Sequence, residues 1–133
     1  MGVVHVKPSV VLTGLQPAGV RILAAIDNCA RVLQVDQTIT SGMEGHGSTD
    51  PHTRGQALDV RAKDFTATVA LRVYAYLLHS LGPQFTVLYE CPEVPINPDL
   101  ASIASVNPKA SAVHFHIQLK RGTSLWPPDT LIA

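Results

Sequence analysis

The spacing of apolar residues divides the chain into helical and extended segments. Apolar side chains recur every three or four residues over 18–34 and over 66–81, which is the period of a helix with one buried face. Strand-like segments, marked by alternating apolar and polar residues or by β-branched side chains, lie at 37–40, 57–62, 84–90 and 112–120. The pattern therefore predicts two amphipathic helices and four strands, with the clearest alternation in the last strand.

Two further segments are expected to be loops. Residues 42–55 are rich in glycine and deliver His52, whereas residues 91–111 contain four prolines and few strand signals. A connection of about twenty residues is long for a compact domain, and such loops are commonly functional or mobile. We therefore predict an inserted loop at 91–111, and a tail from residue 122 that lies along the surface.

Composition and charge limit the class of protein. The 133 residues suit a single domain spanning 1–133, and 46% hydrophobic against 15% charged residues indicates a compact globule. Ten Lys and Arg residues balance ten Asp and Glu residues, so neither nucleic acid nor an anionic membrane is an expected partner. The N-terminus lacks the pattern of a signal peptide. We expect a monomer that is synthesised in the cytoplasm.

The strongest chemical signal is a set of histidines with one carboxylate. His52 and Asp59 flank Gly55, which lets the backbone turn between a loop and a strand. His114 and His116 form a His-x-His pair on a strand, whose period of two places both rings on one face. A catalytic zinc ion takes three nitrogen or oxygen ligands from protein and keeps a fourth position for water. His52, Asp59 and His116 are therefore candidate metal ligands.

A structural role is the alternative for each of these residues taken singly. A lone histidine on a regular element usually packs or lies exposed, and we interpret His5 and His79 in that way. His46, in the glycine-rich segment, is interpreted as a loop residue rather than a ligand. Two histidines on one face, together with His52 and Asp59, favour a metal site over a metal-free domain with incidental histidines.

Three motifs occur in order between about residues 16 and 120. They are Thr40-Ser41-Gly42 followed by Gly47-Ser48, then His52-x-x-Gly55-x-Ala57-x-Asp59, and finally Val113-His114-Phe115-His116. This succession resembles the M15 family of zinc peptidases. That family includes D-Ala-D-Ala carboxypeptidases and L-alanyl-D-glutamate endopeptidases of bacteria and phages, and it shares its core with the hedgehog signalling domain.

The resemblance implies a fold, a cofactor and an activity. The fold would be α+β, a small antiparallel sheet with helices packed on one side. Zn²⁺ would be held by His52, Asp59 and His116, with His114 near the substrate. The activity would be hydrolysis of peptide bonds in peptidoglycan stem peptides. A chain without a signal peptide would need a separate release route to act at the cell wall.

The chain departs from the family pattern at the general base. A Glu or Asp normally lies a few residues before the last zinc-binding histidine, where this chain offers no carboxylate. Glu90 is predicted to replace it, provided that its strand pairs antiparallel with the histidine strand and sets Glu90 opposite Ala112 or His114. Glu93 is the second choice, and a surface position for Glu90 stays open as an alternative. With Glu90 as base, His114 would stabilise the oxyanion.

A second departure concerns the contact with the substrate. The family often has an arginine soon after the Ser-Gly pair, suited to a carboxylate by bidentate pairing, but this chain has Met43-Glu44 there. Its absence favours an endopeptidase over a carboxypeptidase. Arg61, which shares a strand face with Asp59, is the candidate replacement, and Arg54 is interpreted as solvated. The alternative function is a non-catalytic zinc-containing binding or structural module, which the missing local carboxylate favours.

Overall fold

A computed structural model describes residues 2–44 and 50–123. In this part of the chain, six strands form one sheet and three helices accompany it. The strands are β1 (Val4–Val6), β2 (Gln37–Ser41), β3 (Ala57–Arg61), β4 (Phe85–Cys91), β5 (Ala104–Val106) and β6 (His114–Leu119), and the helices are α1 (Pro17–Leu33), α2 (Ala67–Leu81) and α3 (Pro98–Ile103). Among these described residues, no helix has the length and apolar character needed to cross a membrane.

The two predicted helices are confirmed as α1 and α2, to within one residue at each end. Pro17 occupies the first turn of α1, where its missing N–H breaks no intrahelical hydrogen bond. The hydroxyl of Thr66 accepts a 3.2 Å hydrogen bond from the N–H of Val69 and caps α2. Gly82, with a φ of 78°, ends that helix. Local sequence signals therefore account for both helices.

The strands run in the order β1-β2-β3-β6-β4-β5. The four inner strands pair antiparallel, whereas each edge strand, β1 or β5, is parallel to its neighbour. The α+β class is confirmed, but the expectation of an antiparallel sheet is wrong at the edges, because the sheet is mixed. Parallel neighbours need a crossover connection, and α1 provides it between β1 and β2, as α3 does between β4 and β5.

Part of the segment predicted as an inserted loop at 91–111 has regular structure. The side chain of Asn97 accepts N–H bonds from Asp99 at 2.9 Å and Leu100 at 3.2 Å, and so caps α3. β5 then extends the sheet beside β4. A strand of three residues is too short to show a period. Pro98 is tolerated in a first helical turn, so neither element was visible in the proline-rich pattern.

The alternation predicted for the last strand divides the sheet into two faces. In β6, Phe115 and Ile117 are fully buried, and Tyr74 of α2 stacks on Phe115 with ring centroids 6.3 Å apart. α1 contacts β3 and β6, and α2 contacts β4, so helices cover this face. His114 and His116 alternate with the buried residues and belong to the opposite side, the open face of the sheet. The candidate site residues of β3 and β4 lie on that open face as well.

Candidate metal centre

Three side chains from separate parts of the chain meet on the open face. His52 comes from the turn 50–55, Asp59 from β3 and His116 from β6, where Asp59 and His116 lie directly opposite each other. One ligand atom of each lies within 4.8 Å of the others. Oδ1 of Asp59 is 2.8 Å from Nδ1 of His116 and 3.3 Å from Nε2 of His52, and the two nitrogens are 3.3 Å apart. The structure therefore assembles the predicted group of three that could hold a metal ion.

The turn that carries His52 depends on Gly55. Its φ is +71°, and a Cβ at this position would lie 2.7 Å from the backbone nitrogen of Gln16, so a side chain would force a shift. Within the turn, the carboxylate of Asp50 accepts the N–H of His52 at 2.8 Å. The carbonyl of His52 accepts the N–H of Gly55 at 3.0 Å. His52 is only 3% exposed, so its backbone and ring are both held in place.

The outward nitrogens of both rings are tied to carbonyl oxygens. Nδ1–H of His52 donates to the backbone carbonyl of Gly42 at 3.0 Å, and Nε2–H of His116 donates to Oε1 of Gln118 at 2.7 Å. Because these oxygens only accept, each neutral ring carries a lone pair on its inward nitrogen. Both lone pairs approach the carboxylate of Asp59, so three electron-pair donors converge. A cation, either a metal ion or bound protons, is needed to satisfy such a group.

The pKa values of Asp59 and His116 indicate that a proton and a metal ion compete for this group. Burial alone would raise the pKa of Asp59, but hydrogen bonds from His116 and His52, and the charges of those rings, hold it well below its usual value. Burial alone would lower the pKa of His116, but its hydrogen bond to the Asp59 carboxylate and the charge there raise it above the ordinary value of 6.5. In the metal-free protein, a proton on His116 therefore competes with a metal ion.

Glu90 and His114 form a pair beside this group. They lie directly opposite each other in the β4–β6 ladder, which is one of the two registers considered from the sequence. Oε1 of Glu90 is 2.9 Å from Nε2 of His114, and Nδ1–H of His114 donates to the carbonyl of Ala112 at 3.0 Å. Nε2 of His114 is also 3.9 Å from Oδ2 of Asp59. Glu90 therefore shares the face of the candidate ligands, whereas Glu93 lies exposed after the end of β4.

Two clefts lie near this end of the sheet, one on each face. The basic cleft has a volume of about 210 Å³ and is lined by Lys7, Thr40, Arg61, Lys63 and residues 111–114. Arg61 lies opposite His114 in the β3–β6 ladder, so it is close to the Glu90–His114 pair, and its predicted contact with the substrate stays a prediction. The apolar cleft, of about 380 Å³, is lined by Tyr89, Cys91, Val113 and the segment 92–96. Because these strand residues alternate with Glu90 and His114, this cleft belongs to the helix-covered face and not to the site. Arg54 lines a separate cleft with Lys120 and Arg121.

Two supporting contacts were not predicted. The carboxylate of Glu44, which stands where the M15 family has its arginine, accepts N–H bonds from Gly42 at 3.0 Å and Val11 at 2.8 Å. It thereby holds the carbonyl group that orients the buried histidine of the turn. Gln118 shares a strand face with His116, and the period of two could have revealed it. The contact of Glu44 with Val11 spans 33 residues, and no local pattern indicates it.

The remaining predicted residues lie away from the three ligands. His46 and the Gly47-Ser48 motif fall within 45–49, outside the described residues, as does the tail beyond residue 123. His5 and His79 are exposed on β1 and α2, in agreement with their interpretation as residues without a role in the site.

Comparison with known proteins finds no match to a family model, to a curated protein or to a solved structure. The resemblance to M15 peptidases therefore rests on the sequence motifs alone. Membership of that family, the identity of the metal and the activity belong to the proposal below.

Proposed function

We propose that this chain is a zinc-dependent peptidase of the M15 type that hydrolyses peptide bonds in peptidoglycan stem peptides, and that it is an endopeptidase rather than a carboxypeptidase. The observation that carries the proposal is the convergence of Nε2 of His52, Oδ1 of Asp59 and Nδ1 of His116, with Glu90 and His114 beside them. The substrate class comes from the resemblance.

The donor set fits zinc. Two imidazoles and one carboxylate are a ligand set used by catalytic zinc sites, which leave a position open for water. The outward hydrogen bonds to Gly42 and Gln118 select the ring tautomers that a metal requires. When bound, zinc would supply a Lewis acid and lower the pKa of a bound water toward about 7.

Glu90 and His114 are the residues proposed to act on the substrate. The carboxylate of Glu90 takes a proton from the attacking water and passes it to the leaving amine. Its contact with His114 at 2.9 Å keeps the carboxylate turned toward the site. In its imidazolium form, His114 donates Nδ1–H to the carbonyl of Ala112, and its Nε2–H is placed to turn from Glu90 to the substrate carbonyl oxygen on which negative charge develops.

The surroundings of His114 support an endopeptidase. The basic cleft, which is lined by His114, leaves about 210 Å³ of space beside the pair on the open face. Glu44 stands where the family has the arginine that suits a terminal carboxylate, and its own carboxylate is engaged by Gly42 and Val11.

The test is mass spectrometry of purified peptidoglycan fragments after incubation with zinc-loaded protein, with a chelated sample as control. We expect a new zinc-dependent fragment whose mass identifies the bond that is cut. Glu90→Gln should lower the rate by about 10²- to 10⁴-fold while zinc stays bound, and Glu93→Gln tests the other candidate base. The absence of cleavage across diverse wall types, from protein shown to hold zinc, would contradict the proposal and leave the non-catalytic module.

A further inference from the structure

The basic cleft brings three cationic side chains together from two distant parts of the chain. Lys7 follows β1, Arg61 ends β3, and Lys63 lies two residues further on. Within residues 2–44 and 50–123, no carboxylate forms an ion pair with any of the three, although pairs are present elsewhere, such as that of Arg31 with Asp27 at 3.1 Å. This concentration of unpaired positive charge contrasts with the net charge of zero of the whole chain.

Like charges around a cleft of about 210 Å³ repel one another, and the concave shape strengthens their field. An anion in the cleft would offset this repulsion. The guanidinium group of Arg61 presents a planar fork of donors that matches a carboxylate in a bidentate contact, and the two lysines add compact charges beside it. The chemistry of the lining therefore favours a carboxylate or another oxyanion over a neutral or apolar group.

The cleft is continuous with the candidate active site. His114 lines it, and Arg61 lies directly opposite His114 in the β3–β6 ladder. Asp59 precedes Arg61 by two residues on the same strand face, a separation of about 7 Å along a strand. A group bound in the cleft would therefore sit next to the peptide bond that Glu90 and His114 address.

We propose that the basic cleft is an anion subsite, formed by Lys7, Arg61 and Lys63, which binds a carboxylate of the substrate beside the bond that is cut. The proposal rests on the function proposed above for its link to cleavage, but binding of the anion itself does not depend on catalysis. For an endopeptidase, the expected carboxylate is the side chain of an acidic residue, and a preference for a free C-terminus beside the cut bond would instead indicate a carboxypeptidase.

Anion binding is measured first, without any requirement for turnover. Sulfate is titrated into the full chain, with zinc and with the neutral chelator phenanthroline, and the backbone amide signals of residues 111–114 are followed by NMR. We expect saturable shifts under both conditions, with affinity reduced about tenfold in Arg61→Gln and in Lys63→Gln, since each removes a charged contact. Arg72→Gln, a matched loss of charge on an exposed position of α2, should bind as the parent does. No saturable shift, or equal affinity in all the variants, would overturn the proposal.

Cleavage of paired peptides then distinguishes the sources of the carboxylate. One pair differs by a C-terminal carboxylate or amide, and the other by an internal acidic residue or its amide. For the pair whose acidic member is preferred, Arg61→Gln should raise KM about tenfold for the acid and leave the amide unchanged. If both pairs are cleaved and the acid and amide members of each pair have the same KM, the anion subsite is refuted, whereas the proposed peptidase activity still stands. Sulfate binding without cleavage of any peptide would support the anion subsite and contradict the proposed peptidase activity.

Discussion

The two faces of the sheet differ sharply although the same strands build both. In β6, Phe115 and Ile117 are fully buried against the helices, whereas His114 and His116 on the open face keep part of their surface and bond to polar neighbours. The strand period of two thus separates the residues that stabilise the fold from those that carry the chemistry. Adjacent positions in one strand should therefore respond to substitution in opposite ways.

The largest expected effect is on the open face. His116→Ala removes one of three ligand atoms and leaves only two from the protein, so zinc-dependent cleavage should be lost while the chain still folds. Cleavage assays and circular dichroism of the same preparation measure the two properties. His79→Ala, on an exposed position of α2, is the matched control and should retain full activity. An active His116→Ala protein would remove this residue from the site.

The neighbouring residue should show the reverse pattern. Phe115 is fully buried and packs on Tyr74 and Tyr89, so Phe115→Ala should lower the free energy of unfolding by about 3–5 kcal/mol. Chemical denaturation measures this change, and the fraction that stays folded should still bind zinc. Leu78→Ala, at a position that is 40% exposed, should change the stability by less than about 1 kcal/mol. Equal losses in the two variants would contradict the division between the faces.

A smaller effect is expected where the open face supports a ligand without supplying one. Gln118→Leu removes the oxygen that accepts Nε2–H of His116 at 2.7 Å, and zinc affinity should fall by about 10- to 100-fold. Gln118→Glu keeps an acceptor there and should restore most of the affinity. Competition with a chromogenic chelator measures both constants. If the leucine variant binds zinc as tightly as the parent, the hydrogen bond does not orient the ring.

The smallest effect concerns pH. In the metal-free protein, the raised pKa of His116 contributes stability that is complete below 6.5 and is lost as pH rises through the folded pKa. The lowered pKa of Asp59 contributes stability that is complete above 3.8 and is lost only as pH falls through its folded value. Zinc must displace the proton of His116, so the stabilisation by zinc should grow from pH 6 to pH 8. Denaturation with and without chelator checks this, and a constant difference would contradict it.

The sequence predicted what depends on local pattern. The helix limits followed from the spacing of apolar residues over 18–34 and 66–81, and the face shared by His114 and His116 followed from the strand period. Register and strand order did not follow, because a period of two defines a face but not a partner. The Glu90–His114 pairing was therefore only one of two options.

The sequence pattern did not predict the two edge strands or the hydrogen bonds between residues that are distant in sequence. β1 and β5 have three residues each, which is too few to show alternation, and both are parallel because helices connect them to their neighbours. The contact of Glu44 with Gly42 and Val11 joins segments that only the folded chain brings together. The candidate ligands were thus predictable, whereas the support that Glu44 gives to Gly42 was not.

Calorimetric titration of zinc into the metal-free protein, in two buffers with different enthalpies of ionisation, tests the metal centre directly. We expect about one zinc ion per chain, with proton release near neutral pH because zinc displaces the proton of His116. His116→Ala should abolish this binding, and Glu90→Gln should preserve it. Failure of the parent chain to bind zinc, or the same binding in His116→Ala, would contradict a metal centre at His52, Asp59 and His116.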